Sequence, residues 1–582
     1  MSLLDDASLL VTPNARKEGK LYSIIPTNGN GDFSVTRATT ATRVNAAGLV
    51  ELVPYNLLQY SEMFSNAAWP KARCTISANV VNAPNGTLTA DKLVEDTTAT
   101  NTHRVGQLFT FVVGNTYTMS CYAKAAERTQ IGLSFNLVPI ATTDGVVFDL
   151  SSGTIALQTA GYTGTITSVG DGWYRCTARK TADATSVRAD IGICVSNTAI
   201  YTGNGTSGIY IWGAQLVEGT SALDYQMTET RLNIPRLDYS LGSCPNILLE
   251  PQRTNLALRS EEFDNATWQK TAVIVAANNT TSPSGIANAD RITPNLAGFH
   301  SLQQTISATG TVSYKVYAKY NGYNIWLQIG ISSGSTAFFN LQNGTTTNNA
   351  TFPTTFGTGF TQVSKSITPL GNGWYECNLV ATGTTTGLII GVAQNENTSS
   401  YTADGTSGVF LWGAQFEAGA YPTSYIPTTS ASVTRNADVI SRGNIYTNGL
   451  ITASGGTWFV DLRNNRALTR DAFSNGMFFS GSSGSLQIRN TTGGRLAVLK
   501  IVGGTSTTLY TTLTDTAKIA IKWNGTTADV FVNGVKVVSA TSFTETSLQN
   551  LDCFAGDVPK YINSMGLFPT AKTDAQLIAL TT

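Results

Sequence analysis

Residues 56–71 read NLLQYSEMFSNAAWPK, and residues 255–270 read NLALRSEEFDNATWQK. The likeness does not stop there. Asp91-Lys92-Leu93 returns as Asp290-Arg291-Ile292, and Tyr122-Ala123-Lys124 returns as Tyr317-Ala318-Lys319. Gly172-Trp173-Tyr174-Arg175-Cys176 is matched by Gly373-Trp374-Tyr375-Glu376-Cys377, and Trp212-Gly213-Ala214-Gln215 by Trp412-Gly413-Ala414-Gln415. Landmarks that recur from end to end at a nearly constant offset mark a duplicated globular domain rather than a short solenoid repeat.

Within each repeat the apolar residues alternate with polar ones. Val312-Ser313-Tyr314-Lys315-Val316-Tyr317-Ala318-Lys319 has the period of two that a half-buried strand requires, and Gly, Asn, Asp and Ser close such segments as turns. Helical periodicity is almost absent. Each repeat therefore reads as a jelly-roll sandwich of many short antiparallel strands. After about residue 440 no third copy appears, but Asn524-Gly525 and Asn533-Gly534 join further alternating segments as hairpins. A short helix is expected at the end, where Thr573 and Gln576 form a capping box. The fold class is all-β, with two duplicated jelly-roll sandwiches and a C-terminal sandwich.

Of the 582 residues only 13% are charged, with Lys+Arg 37 against Asp+Glu 37. A net charge of zero supplies no field that would draw in nucleic acid or anionic lipid. The opening residues contain no apolar run that would make a signal peptide or membrane span, which predicts folding in a cytosol and no membrane insertion. Seven cysteines without CxxC spacing read as reduced thiols, with neither disulfide framework nor zinc site.

The expected organisation is an N-terminal docking segment at 1–54, repeats at 55–229 and 255–429 with a packed connector at 230–254, and a final sandwich at 430–582. Thr-Arg pairs (Thr36-Arg37, Thr42-Arg43, Thr230-Arg231, Thr434-Arg435) recur at the junctions, and Leu232, Ile234, Leu237, Ile247, Leu248 and Leu249 are too apolar for a solvated tether. The docking segment looks too short for a core of its own, so it is expected to be ordered by another protein or a neighbouring copy.

Residues 56–92, with NLLQYSEMF, AAW, the Pro84-Asn85-Gly86 turn and ADKL, together with GWYRC and IYIWGAQLVEG, resemble the carbohydrate-binding-like jelly rolls of bacteriophage virion proteins. The junction TRLNIPRLDYS, CPNILLEPQRTNL resembles segments that introduce such domains in tail and fibre proteins. The C-terminal domain resembles concanavalin-like or laminin-G-like sandwiches through residues 529–537 and Gly566-Leu567-Phe568-Pro569. The resemblance implies a non-enzymatic tail-fibre-like or head-fibre-like appendage on the virion surface, assembled in the host cytoplasm. Its implied partners are other virion proteins, bound through the N-terminal segment, and host or environmental glycans; the implied oligomer is a homotrimer. The alternatives are a capsid or tail decoration protein that binds only virion proteins and a polysaccharide depolymerase.

His103 and His300, the only histidines, fall at related positions without paired ligands and read as structural. Glu62 and Glu261 match, as do Asp91 and Asp290. Recurrence suggests turn capping, arginine pairing or a structural calcium site, while a lytic pair would need two acids across a glycosidic bond. No cofactor is otherwise expected. Trp173, Trp374, Trp212 and Trp412 read as core. Trp69 and Trp268 either close an end of each sandwich or stack on a sugar. Trp326, placed by offset opposite Ile131 of the first repeat, joins Tyr320 and Tyr323 as a candidate aromatic platform for carbohydrate.

Overall fold

A computed structural model describes residues 6–582 except 14, 54–55, 112, 136–143, 323–325, 332–335, 347–360, 396–399, 464–475, 483, 492–494, 513–515, 545–547 and 555–559. For residues 186–187, 326, 331, 336, 361–362, 490–491 and 560 it describes the backbone only. The described residues form antiparallel sheets and one α-helix, Asp574–Thr581, whose N-cap Thr573 makes the expected capping box with Gln576. The chain divides into two compact units, residues 54–232 and residues 1–53 with 233–582.

The unit at 54–232 is the first repeat. One six-stranded sheet runs in the order Thr154–Gln158, Val146–Asp149, Gln130–Phe135, Ser186–Cys194, Arg104–Thr110, Lys71–Ala72. The other runs Tyr162–Gly170, Trp173–Thr181, Thr116–Ala125, Gly208–Glu218, Ala90–Glu95, Cys74–Val81. The chain passes back and forth between the sheets, as a jelly roll does. The period of two decides what is enclosed. Met119, Cys121 and Ala123 point into the core with Cys176, Ala178, Ile209 and Ile211, while Ser120 and Tyr122 lie on the opposite face of the sheet.

The second repeat uses the same pairings. Lys124 lies opposite Trp173 and Lys319 opposite Trp374; Tyr122 lies opposite Trp212 and Tyr317 opposite Trp412. Its difference is continuity. Ser301–Asn321 and Trp374–Ala393 each run unbroken where the first repeat has two strands, so the strands join in one ten-stranded sheet. Shared motifs have shared causes. Asp171-Gly172 and Asn372-Gly373 all have positive φ, as a tight hairpin turn needs. Gly213 has φ +61°, and a Cβ there would stand 3.1 Å from the Tyr122 ring; at Gly413, φ +65°, it would stand 2.7 Å from Tyr317.

The C-terminal sandwich corrects the sequence-based division. Its first sheet runs Arg236–Asp238, Asn246–Leu249, Lys560–Phe568, Gly456–Arg463, Ala517–Trp523, Thr527–Val532, Val535–Ser542, with Leu9–Val11 also paired to Lys560–Phe568. Its second sheet begins Arg16–Lys17, Lys20–Leu21, Phe33–Thr36 before reaching Val439–Arg442 and Asn550–Phe554. Leu9, Val11, Leu21, Phe33, Val35, Leu237, Ile247 and Leu249 share one core with Trp458, Ile519 and Leu567. The segment expected at 1–54 is thus ordered by its own chain, because its short strands complete sheets that residues 430–582 leave unfinished.

Two of the four Thr-Arg pairs, Thr36-Arg37 and Thr434-Arg435, supply a buried charge group. Arg37 reaches Asp438 at 2.7 Å, Arg435 reaches Glu250 at 2.7 Å, and Arg236 binds both acids, 2.7 Å from Glu250. All five side chains are at most 3% exposed. Burial pushes the Glu250 and Asp438 carboxyls up, but the surrounding guanidiniums and hydrogen bonds outweigh it and hold both below the usual carboxylate range. Three cations around two anions join the N-terminal segment, the connector and the strand after the second repeat.

Candidate functional site

The recurrent residues expected to be structural have the same partners in both repeats. Asp91 accepts from the backbone N–H groups of Phe64 and Asn79, at 3.0 and 2.9 Å; Asp290 accepts from those of Phe263 and Asn278, at 2.8 and 2.9 Å. Burial, outweighing these hydrogen bonds, raises the Asp290 carboxyl to about 6. His103 Nδ1 lies 2.7 Å from the Arg73 carbonyl and His300 Nδ1 2.9 Å from that of Ala272. The tyrosine hydroxyls of Tyr225 and Tyr425 donate to Glu62 and Glu261 at 3.1 and 3.0 Å. Among the described residues no His, Cys, Asp or Glu cluster could hold a metal.

The aromatic candidates fare differently. Trp69 and Trp268 are 0% and 1% exposed, and their indole N–H groups donate to the carbonyls of Tyr60 and Arg259 at 2.9 and 3.0 Å. This corrects the sugar-stacking expectation for both: no ring face is open, and each indole closes the end of its sandwich. Tyr320 is half-buried and packs on the second core. Tyr323 and the Trp326 side chain lie outside the described residues. The Trp326 backbone pairs with Ala393 as Gln130 pairs with Cys194, so the counterpart of Ile131 is Leu327, one place on.

What sequence reasoning missed is the outward face of the sheet that carries WGAQ. In the first repeat, three neighbouring strands place Thr167, Thr165 and Thr163 beside Arg175, Thr177 and Arg179, and these beside Tyr122, Ser120 and Thr118. The next strand adds Trp212 and Gln215. The three threonines of this grid on the strand Tyr162–Gly170, Thr163, Thr165 and Thr167, are exposed, and Thr177 and both arginines are half-buried. Gln215 fastens residues 223–226 along one side: its amide donates to the carbonyls of Leu223 and Asp224, and its oxygen accepts from the Gln226 N–H at 2.7 Å. Arg175 donates to the Leu223 carbonyl at 2.5 Å and to Ser120 Oγ at 3.2 Å; Arg179 donates to the Thr220 carbonyl at 2.9 Å and to Thr163 at 3.3 Å. Tyr122, Trp212 and Tyr225 form an aromatic group beside them, with Tyr122 and Tyr225 half-buried and Arg175 over the Tyr122 ring at 5.6 Å.

In the second repeat the corresponding trio, Tyr317, Trp412 and Tyr425, is buried, at 3%, 2% and 2% exposure. It is covered by the chain itself. Ala41–Val44 and Val50–Val53 form a hairpin tied by Arg43–Glu51 at 2.7 Å, and its Val44 and Val50 pack on the trio. The Val50 N–H donates to the Pro283 carbonyl at 3.0 Å. A cavity of about 250 Å³ remains, lined by Arg43, Lys315, Tyr317, Glu376, Asn378 and Tyr425 among others. Several polar groups in and around it pair with one another. Lys315 lies 3.7 Å from Glu376 and donates to the Thr423 carbonyl, while Glu417 accepts from Gln415 and Thr423 at 2.7 and 2.6 Å.

No family model matches the chain, and no curated protein does. Among solved structures it is similar to the N-terminal CBM22-1-CBM22-2 tandem domain of Xyn10C from Paenibacillus barcinonensis, at 12% identity and a TM-score of 0.20. That alignment covers 62% of this chain and 96% of the other.

Proposed function

We propose that this chain is a non-catalytic glycan-binding protein whose ligand face is the outward sheet surface of the first repeat. The observation that carries the reading is the contrast between the two repeats. One outward face presents hydroxyls, guanidiniums and half-open aromatic rings, while the same face of its twin is filled by a hairpin of its own chain. Sugars suit such a surface because ring C–H groups pack on aromatic faces while hydroxyls and guanidiniums take the sugar oxygens. The sequence resemblance supports placing the protein on a bacteriophage virion as a trimeric tail-fibre-like or head-fibre-like appendage, assembled in the host cytoplasm. Attachment to other virion proteins would then involve the unit that contains the N-terminal segment. Weak single-site contacts become strong in such an array by multivalency.

The test is to titrate the full chain with surface polysaccharides of the host and to assay reducing ends in the same samples. Saturable binding without new reducing ends is expected, and Tyr122→Ala should weaken it while leaving the melting profile in place. Release of reducing ends would favour a depolymerase. Firm binding to capsid or tail proteins with no glycan bound would favour a decoration protein.

A further inference from the structure

From the charges on this face we infer that the first repeat selects an acidic glycan, with Arg175 and Arg179 receiving carboxylates on separate sugars of one chain. The inference rests on the glycan-binding reading above and names its ligand class. Arg175 and Arg179 are four residues apart on one strand, so both point outward and stand about 13 Å apart along it. That is too far to grip one carboxylate and suits two. Among the described residues neither guanidinium has a carboxylate partner within 4.0 Å, whereas Arg128, Arg104 and Arg188 of the same unit are all paired. The exposed Asp224, next to Leu223 in the chain, pairs with neither. Backbone carbonyls of Leu223 and Thr220 hold the two side chains in place instead, and Arg175 Nε is enclosed without a partner. Guanidinium donors held in position and lacking an anion are suited to a carboxylate, which takes charge-assisted hydrogen bonds.

The second repeat shows what happens where the chain covers the face. Register places Glu376 at the position of Arg175, Asn378 at that of Thr177 and Val380 at that of Arg179. Both arginines are gone, and Lys315 stands on this face at the position of Ser120. Glu376 lines the same cavity as Arg43, the cation of the covering hairpin. The hairpin carries Arg43 paired with Glu51 and so brings no net charge to a face on which Lys315 and Glu376 lie 3.7 Å apart. The covered face thus balances its charges within the chain, whereas the open face holds two guanidiniums on backbone carbonyls with no carboxylate, which leaves room for an anion.

The experiment measures binding of the full chain to polygalacturonate, alginate, hyaluronan and polysialic acid, each beside its carboxyl-reduced neutral form. The expected result is binding to at least one acidic polymer. That binding should fall at least about tenfold on carboxyl reduction and about tenfold in each of Arg175→Gln and Arg179→Gln. It should also weaken with added salt in the wild type and much less so in the double variant. Unchanged thermal melting of the variants separates lost contacts from lost fold. If acidic and reduced forms bind equally, or the arginine variants bind as wild type, the acidic selection is overturned while glycan binding stands. If no polymer binds in either form, both readings fall.

Discussion

Replacing Asp438 by Asn removes one of only two anions from a buried group of five charges. The wild-type arrangement has Arg37, Arg236 and Arg435 around Asp438 and Glu250. After Asp438→Asn, Arg236 and Arg435 share the single carboxylate of Glu250, and Arg37 keeps only the carbonyls of Thr39 and Ile234. Breaking a buried pair by removing one partner costs about 3–5 kcal/mol. At about 1.2 °C per kcal/mol for a unit of this size, the melting transition of the unit formed by residues 1–53 and 233–582 should fall by about 4–6 °C. Arg236→Met is the informative comparison, since it leaves two one-to-one pairs, Arg37–Asp438 and Arg435–Glu250, and a long apolar side chain fills the space. It should therefore cost clearly less than Asp438→Asn. Scanning calorimetry of the full chain reads both, with the transition of the first repeat as an internal reference. An Asp438→Asn protein that melts as wild type, or an Arg236→Met protein that is the less stable of the two, would refute the reasoning.

The same group sets an acid limit. Both carboxyls are depressed in the folded chain, so their contribution is fully present above the unfolded value of about 4 and is lost as the pH falls below it towards the folded values. Melting followed from neutral to acid pH should show this loss, with a shallower slope in Asp438→Asn; equal slopes would count against it. A chain lacking residues 1–53 should expose core and bind a hydrophobic dye, because Leu9, Val11, Leu21, Phe33 and Val35 leave the C-terminal core. Wild-type melting of that truncation would contradict the shared sheets. Trp69→Ala should cost about 3–5 kcal/mol of stability in the first repeat, as for other large buried side chains; loss of glycan binding with stability unchanged would restore Trp69 as a platform.

The duplication and the all-β class were legible because both rest on local pattern: turn residues, a period of two and landmarks at constant offset. The capping box at Thr573 is read the same way. The completion of the C-terminal sandwich by Leu9–Val11 and Phe33–Thr36 was not legible, since pairing between strands more than 400 residues apart leaves no periodic mark on either. The junction arginines were visible as repeated pairs, but nothing local says that Arg37 and Asp438 meet. The candidate site shows the same limit. Tryptophan drew attention by type, yet Trp69 and Trp268 fill their sandwiches. The one available signal for the outward face was Arg175 of GWYRC changed to Glu376 in GWYEC, a charge reversal inside an otherwise kept motif.

The most direct measurement is a structure of the full chain with an oligosaccharide from a bound polymer. The account predicts sugar density over Tyr122, Thr177 and Arg175 of the first repeat, and the hairpin of residues 41–53 still seated on Tyr317 and Tyr425 of the second. Sugar in the cavity beside Glu376, or over Trp326 with the first repeat empty, would contradict it.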